Sequence, residues 1–171
     1  MKRKLLVSLF SLAMCAVLIC GMCGCQVSVG SSKTKTETET ETASSIPEKI
    51  VAKIKEECSL TNFRDISIDE FDVLYGVEKS DVAYFAGCIS NDSLSKDEVI
   101  VIEAMDEGEA STIRDRLEEH YNKVLDECME FLPEECEIVK KCSVVKDGIY
   151  VTLFISADAE KMEQIYKSYV K

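Results

Sequence analysis

The chain has 171 residues, in which 20 Lys and Arg stand against 32 Asp and Glu, with one His and a formal charge of −12. Hydrophobic residues make up 46% and charged residues 30%, which excludes a wholly disordered chain and a multi-span membrane protein. An acidic excess of this size leaves no extended basic surface to neutralise phosphates, so nucleic acid is excluded as a partner.

The N-terminus reads as a targeting segment. Lys2, Arg3 and Lys4 open it, and an apolar run follows from Leu5 to Cys20, broken only by Ser8 and Ser11. The run is shorter than the ~20 residues a membrane-spanning helix needs, so residues 1–24 are expected to be a signal peptide. Met22-Cys23-Gly24-Cys25 resembles a bacterial lipobox, in which a small residue precedes the lipidated cysteine. Cys15, Cys20 and Cys23 follow Met14, Ile19 and Met22, and Cys25 alone follows a glycine. The resemblance implies transfer of a diacylglyceryl group to the Cys25 sulfur and cleavage after Gly24. It also implies acylation of the new N-terminus. More than one acyl chain is what makes such an anchor stable, so the expected partner is a membrane, held from its extracytoplasmic face. Residues 25–45 carry Cys25 and then Ser, Thr and Glu in near alternation. They have too little apolar content for a core and read as a disordered tether.

Residues 46–171 are expected to form a single domain, large enough for its own core, with 15 Lys and Arg against 29 Asp and Glu. Ser45-Ile46-Pro47-Glu48 carries the N-cap, early proline and N3 glutamate of a helix start. Ile50, Ile54 and Cys58 recur every four residues, which predicts a helix over 47–59. Residues 60–80 read as irregular, with a short turn near Asp69–Leu74. Val82–Ser90 and Val99–Met105 are rich in strand formers and are separated by turn residues, which predicts a hairpin. Asp106 opens a long helix over 107–131, with Ala110, Ile113, Leu117, Tyr121, Val124, Cys128 and Phe131 at spacings of three and four, stopped by Pro133. A second hairpin over 141–146 and 149–156 turns at Asp147-Gly148, and Met162, Ile165, Tyr166 and Tyr169 mark a last helix over 158–170.

The order α-β-β-α-β-β-α predicts an α+β fold, with a four-stranded, largely antiparallel sheet and helices packed mainly on one face. Its two successive ββα units leave an internal duplication open. The chain resembles an uncharacterised lipoprotein family of Gram-positive, mainly clostridial bacteria, the domain-of-unknown-function family 4358. The resemblance covers most of 46–171. It is carried by Tyr75-Gly76-Val77, Asp97-Glu98-Val99-Ile100-Val101-Ile102-Glu103-Ala104, Ala110, Ile113, Phe131-Leu132-Pro133 and Gly148-Ile149-Tyr150-Val151, in that order. It implies a lipid-anchored extracytoplasmic domain and supplies no catalytic residue.

The residues that carry chemistry do not assemble into a known motif. Cys58, Cys88, Cys128, Cys136 and Cys142 contain no Cys-x-x-Cys and lack zinc-site spacing. They read as core cysteines or as one or two disulfides, with Cys136 the expected exposed thiol. His120 reads as a surface or boundary histidine. The acids cluster at Asp65, Asp69, Glu70 and Asp72, at Asp92, Asp97 and Glu98, and at Asp106, Glu107 and Glu109. None forms a calcium loop, and they read as caps, turns and solvated faces. No cofactor or metal is expected. The leading expectation is a non-enzymatic binding or accessory domain at the cell surface, with a protein or cell-envelope partner. The alternative is an extracytoplasmic hydrolase using an acidic pair. One candidate binding surface follows from the strands. Val99–Ile102 and most of Val151–Ile155 are apolar on both sides of the pleat, where a half-exposed strand alternates. Either the first helix covers the second face, or Ile100, Ile102, Leu153 and Ile155 mark an exposed apolar patch.

Overall fold

The computed structural model describes residues 44–171. The signal segment 1–24, Cys25 and the tether up to residue 43 lie outside the described residues. Helix α1 spans Ile46–Glu57. Its start is a reciprocal cap: the Ser45 N–H donates to Glu48 Oε2 at 2.7 Å and the Glu48 N–H to Ser45 Oγ at 3.3 Å, which satisfies two orphan donors of the first turn. Strand β1, Phe63–Asp65, and helix α2, Ile68–Tyr75, follow. Ser67 and Glu70 repeat the same cap on α2, and Gly76 ends it at φ 66°, a left-handed position that favours glycine. Strands β2, Val82–Ser90, and β3, Glu98–Ala104, form the first hairpin. Helix α3 runs Glu107–Phe131, with the Asp106 carboxylate accepting from the Gly108 and Glu109 N–H groups. Leu132 leaves the helical region because Pro133 follows it. Pro133 then opens a further helix, α4, Pro133–Val139. Strands β4, Val144–Asp147, and β5, Tyr150–Ile155, lead into α5, Ala159–Tyr169.

The sheet order is β1-β2-β3-β5-β4, antiparallel throughout. The α+β class and the antiparallel sheet are as expected; the strand count is five rather than four. The added strand, β1, has three residues, too few for a periodic pattern. It is held by pairing with β2, Phe63 opposite Ser90 and Asp65 opposite Cys88.

The placement of the helices corrects the one-face expectation. Alternation along β3 and β5 divides the core in two. Ile100, Ile102, Val151, Leu153 and Ile155 pack with α2, α3 and α4 on one face. Val99, Val101 and Phe154 pack with Ile50 and Ile54 of α1 and Met162 and Tyr166 of α5 on the other. Helices therefore cover both faces, and the two central strands are apolar on both sides because both sides are buried. Ile100, Ile102 and Leu153 are fully buried and Ile155 is 1% exposed, so these four residues are core and form no exposed patch. The internal duplication also falls. The two ββα units meet through their second strands, but α3 and α5 lie on opposite faces. The units therefore have opposite hand, and no rotation superposes them.

Candidate functional site

Glu98 begins β3 and shares the parity of Ile100 and Ile102, which turns its side chain toward α3 rather than to solvent. His120 lies three residues after Leu117 and four before Val124, so it falls on the same inward stripe of α3. The two meet where the sheet ends. The His120 Nε2–H donates to Glu98 Oε2 at 3.1 Å, with 21% of the His120 side chain and 8% of the Glu98 side chain exposed. The second carboxyl oxygen, Glu98 Oε1, has no solvent-accessible surface and no hydrogen bond of good geometry. Buried polar atoms are seldom left in this state.

Tyr75, the last residue of α2, closes one side. Its ring is 4.5 Å from the His120 ring, centroid to centroid, and it is braced by Phe71 at 4.6 Å, which in turn rests on Phe85 at 4.4 Å. Burial, and after it the neighbouring Glu98 carboxylate, push the Tyr75 phenol far above its ordinary value. Tyr75 therefore stays a neutral hydroxyl, within hydrogen-bonding reach of the Glu98 carboxyl.

The β2–β3 loop closes the other side. Lys96 reaches from the loop to Glu127 of α3 at 3.0 Å, and its ammonium holds the Glu127 carboxyl below the usual range. Burial, reinforced by Glu135, raises the half-buried Asp97. Between these walls lies a cavity of about 270 Å³, with Leu74, Ile89 and Val124 on its apolar side and Glu98, His120 and Lys123 on its polar side. A second groove shares Tyr75, His120 and Lys123 and continues along α3 past Arg116. Among the described residues, no three His, Cys, Asp or Glu side chains gather as metal ligands.

The family model for a domain of unknown function, DUF4358, matches residues 56–156, more than half of the chain. The chain belongs to this family. No curated protein and no solved structure matches it. The DUF4358 segment begins in the last turn of α1 and ends just after β5, so every residue of the cleft lies inside it. Most of α1 and all of α5, which cover the opposite face, lie outside it.

The structure redistributes the sequence candidates. Cys25 lies outside the described residues. All five domain cysteines are free. Cys136 is 3% exposed, so it is not the exposed thiol; Cys58, at the end of α1, is the most open of the five. Asp92 holds its turn by accepting from the Leu94 N–H at 2.9 Å, and Asp106 is a cap, as their positions imply. His120 sits at the boundary of the core, but with a partner that sequence reading passed over. The signal for Glu98 was present in its register: a carboxylate two residues before Ile100 and four before Ile102 must face the core side.

Proposed function

We propose that the protein is a lipoprotein anchored through Cys25 to the extracytoplasmic face of a bacterial membrane, and that its DUF4358 domain binds a small molecule in the cleft between α2, α3 and the β2–β3 loop. The address rests on the basic start, the apolar run and the Gly24-Cys25 junction. The binding reading rests on one observation, a cavity of about 270 Å³ in which the Glu98–His120 pair and Lys123 converge opposite Leu74, Ile89 and Val124. Support for binding over acidic-pair hydrolysis comes from the count of carboxylates. Glu98 is the one fully sequestered acid in the cleft, and Asp97 and Glu127 are both more open.

Two measurements test the proposal. Cys25→Ala is expected to abolish fatty-acid labelling of the chain in cells and to leave an uncleaved precursor; equal labelling refutes the anchor. The full chain, purified natively and then denatured, is expected to release a small molecule that the Glu98→Gln chain does not retain. Equal release from both, or none from either, refutes the cleft as a binding site.

A further inference from the structure

The far end of α3 carries large apolar side chains that the rest of the domain leaves uncovered. Leu94, in the β2–β3 loop, is 66% exposed, and Phe131, the last residue of α3, is 69% exposed. They are distant in sequence, yet they line one open groove of about 350 Å³ together with Leu132, Pro133, Glu134 and Glu135. Both are held in place. The Asp92 carboxylate accepts the Leu94 N–H at 2.9 Å, the Ser95 N–H donates to the Asp92 carbonyl at 3.1 Å, and Lys96 ties the loop to Glu127 of α3. Phe131 is fixed by the helix it ends and by the break at Leu132-Pro133. Leu94 stands among Asn91, Asp92, Ser93 and Ser95, in a turn whose geometry calls for polar residues, and it adds nothing to the core. An apolar surface that is already ordered loses little entropy when a partner covers it.

The charge around the groove restricts what can cover it. Glu134 and Glu135 line it, and no basic side chain does. The nearby ion pairs are Lys96–Glu127 and Lys140–Glu137; Glu134 and Glu135 form none among the described residues. A second copy of this chain brings the same two glutamates and a net charge of −12, so it is repelled. An anionic lipid surface is repelled for the same reason. The geometry points to a docking groove for a segment of another protein that presents a large apolar side chain beside Lys or Arg, the apolar side chain seated against Leu94, Phe131 and Pro133 and the cation facing Glu134 and Glu135. No residue lines both this groove and the cavity at Glu98, so each reading stands or falls without the other.

The test is selection of a displayed library of random dodecapeptides on the full chain held in phosphatidylcholine vesicles, with empty vesicles used to remove lipid binders. Enriched peptides are expected to combine an aromatic or large aliphatic residue with Lys or Arg, and to bind less tightly as salt rises. Leu94→Ser and Phe131→Ser leave the net charge untouched, and each is expected to weaken binding by about tenfold or more, the loss of one apolar anchor. Their melting temperatures are expected to match that of the parent chain, which separates loss of a contact from loss of the fold; if one variant fails to fold, the other decides. Glu134→Gln combined with Glu135→Gln is expected to weaken binding and flatten its salt dependence. No enrichment, enriched peptides without a basic residue, or equal binding to the folded serine variants overturns the proposal. Self-crosslinking of the parent chain that Phe131→Ser abolishes gives the groove to a second copy, and protection of Phe131 from hydroxyl radicals in phosphatidylglycerol vesicles gives it to lipid; either result also overturns the proposal.

Discussion

Removing Glu98 and removing His120 are predicted to move stability in opposite directions, although the two are hydrogen-bonded to each other. Glu98 has 8% of its side chain exposed, and only one of its two oxygens has a partner, His120 at 3.1 Å. Its other oxygen is buried without a hydrogen bond of good geometry, which carries a desolvation cost of about 1–3 kcal/mol. Glu98→Met replaces the carboxylate with a flexible apolar side chain of similar volume. Because Leu74, Ile89 and Val124, which line the same cavity, are apolar, that change is expected to leave stability equal or to raise it by up to about 3 kcal/mol. His120→Ala does the reverse. It strips the remaining partner from a buried carboxylate and removes the ring that Tyr75 rests on. The loss for a fully buried pair is about 3–5 kcal/mol; with 21% of the His120 side chain open to water, about 1–3 kcal/mol is expected. Urea unfolding of residues 44–171 at neutral pH measures both, with an unchanged denaturant slope required of each variant. If Glu98→Met destabilises as much as His120→Ala, Glu98 is a structural keystone and not a group held at a cost for binding.

Three further outcomes are expected. Gly87→Ala in β2 should destabilise by about 1–3 kcal/mol in the same unfolding assay, because an added Cβ meets Ile100 Cδ1 and Phe85 Cζ at 2.9 Å and the Val99 carbonyl oxygen at 3.2 Å; an unchanged midpoint refutes the packing. Reductant should leave the melting temperature unchanged, since the five cysteines are free, and alkylation of the native domain should reach Cys58 before the other four; rapid labelling of Cys136 contradicts its burial. Burial raises the Cys88 thiol from its ordinary 9.0 to about 11 and raises the Tyr75 and Tyr166 phenols. Above pH ~9 the unfolded chain therefore loses protons that the folded chain keeps, and stability should fall as pH rises from ~9 to ~11. A flat profile over that window in urea titrations at stepped pH contradicts the burial of these groups.

Several elements needed only local information. The caps at Ser45 and Asp106, the stripe from Ala110 to Cys128 and the all-apolar runs in β3 and β5 are encoded within a few residues of one another, and each appears where its pattern placed it; the second hairpin turns one residue later than expected, at Gly148-Ile149, with Asp147 paired to Tyr150. Helices α2 and α4 were also locally encoded, by Ser67-x-x-Glu70 with Gly76 and by Pro133 as a first helical residue, but such short helices carry too few apolar repeats to stand out. Other features depended on partners distant in the chain. Strand β1 exists because β2 offers it an edge, and three residues carry no period of their own. Which helix covers which face was not legible, because a strand apolar on both sides states that both sides are buried without naming what buries them. The cleft is the strongest case. Glu98, His120 and Tyr75 belong to three separate elements, and in sequence each has an ordinary local explanation as a turn acid, a boundary histidine or a core tyrosine. Only the packing of α2 and α3 against the end of β3 brings the three together and removes water from Glu98.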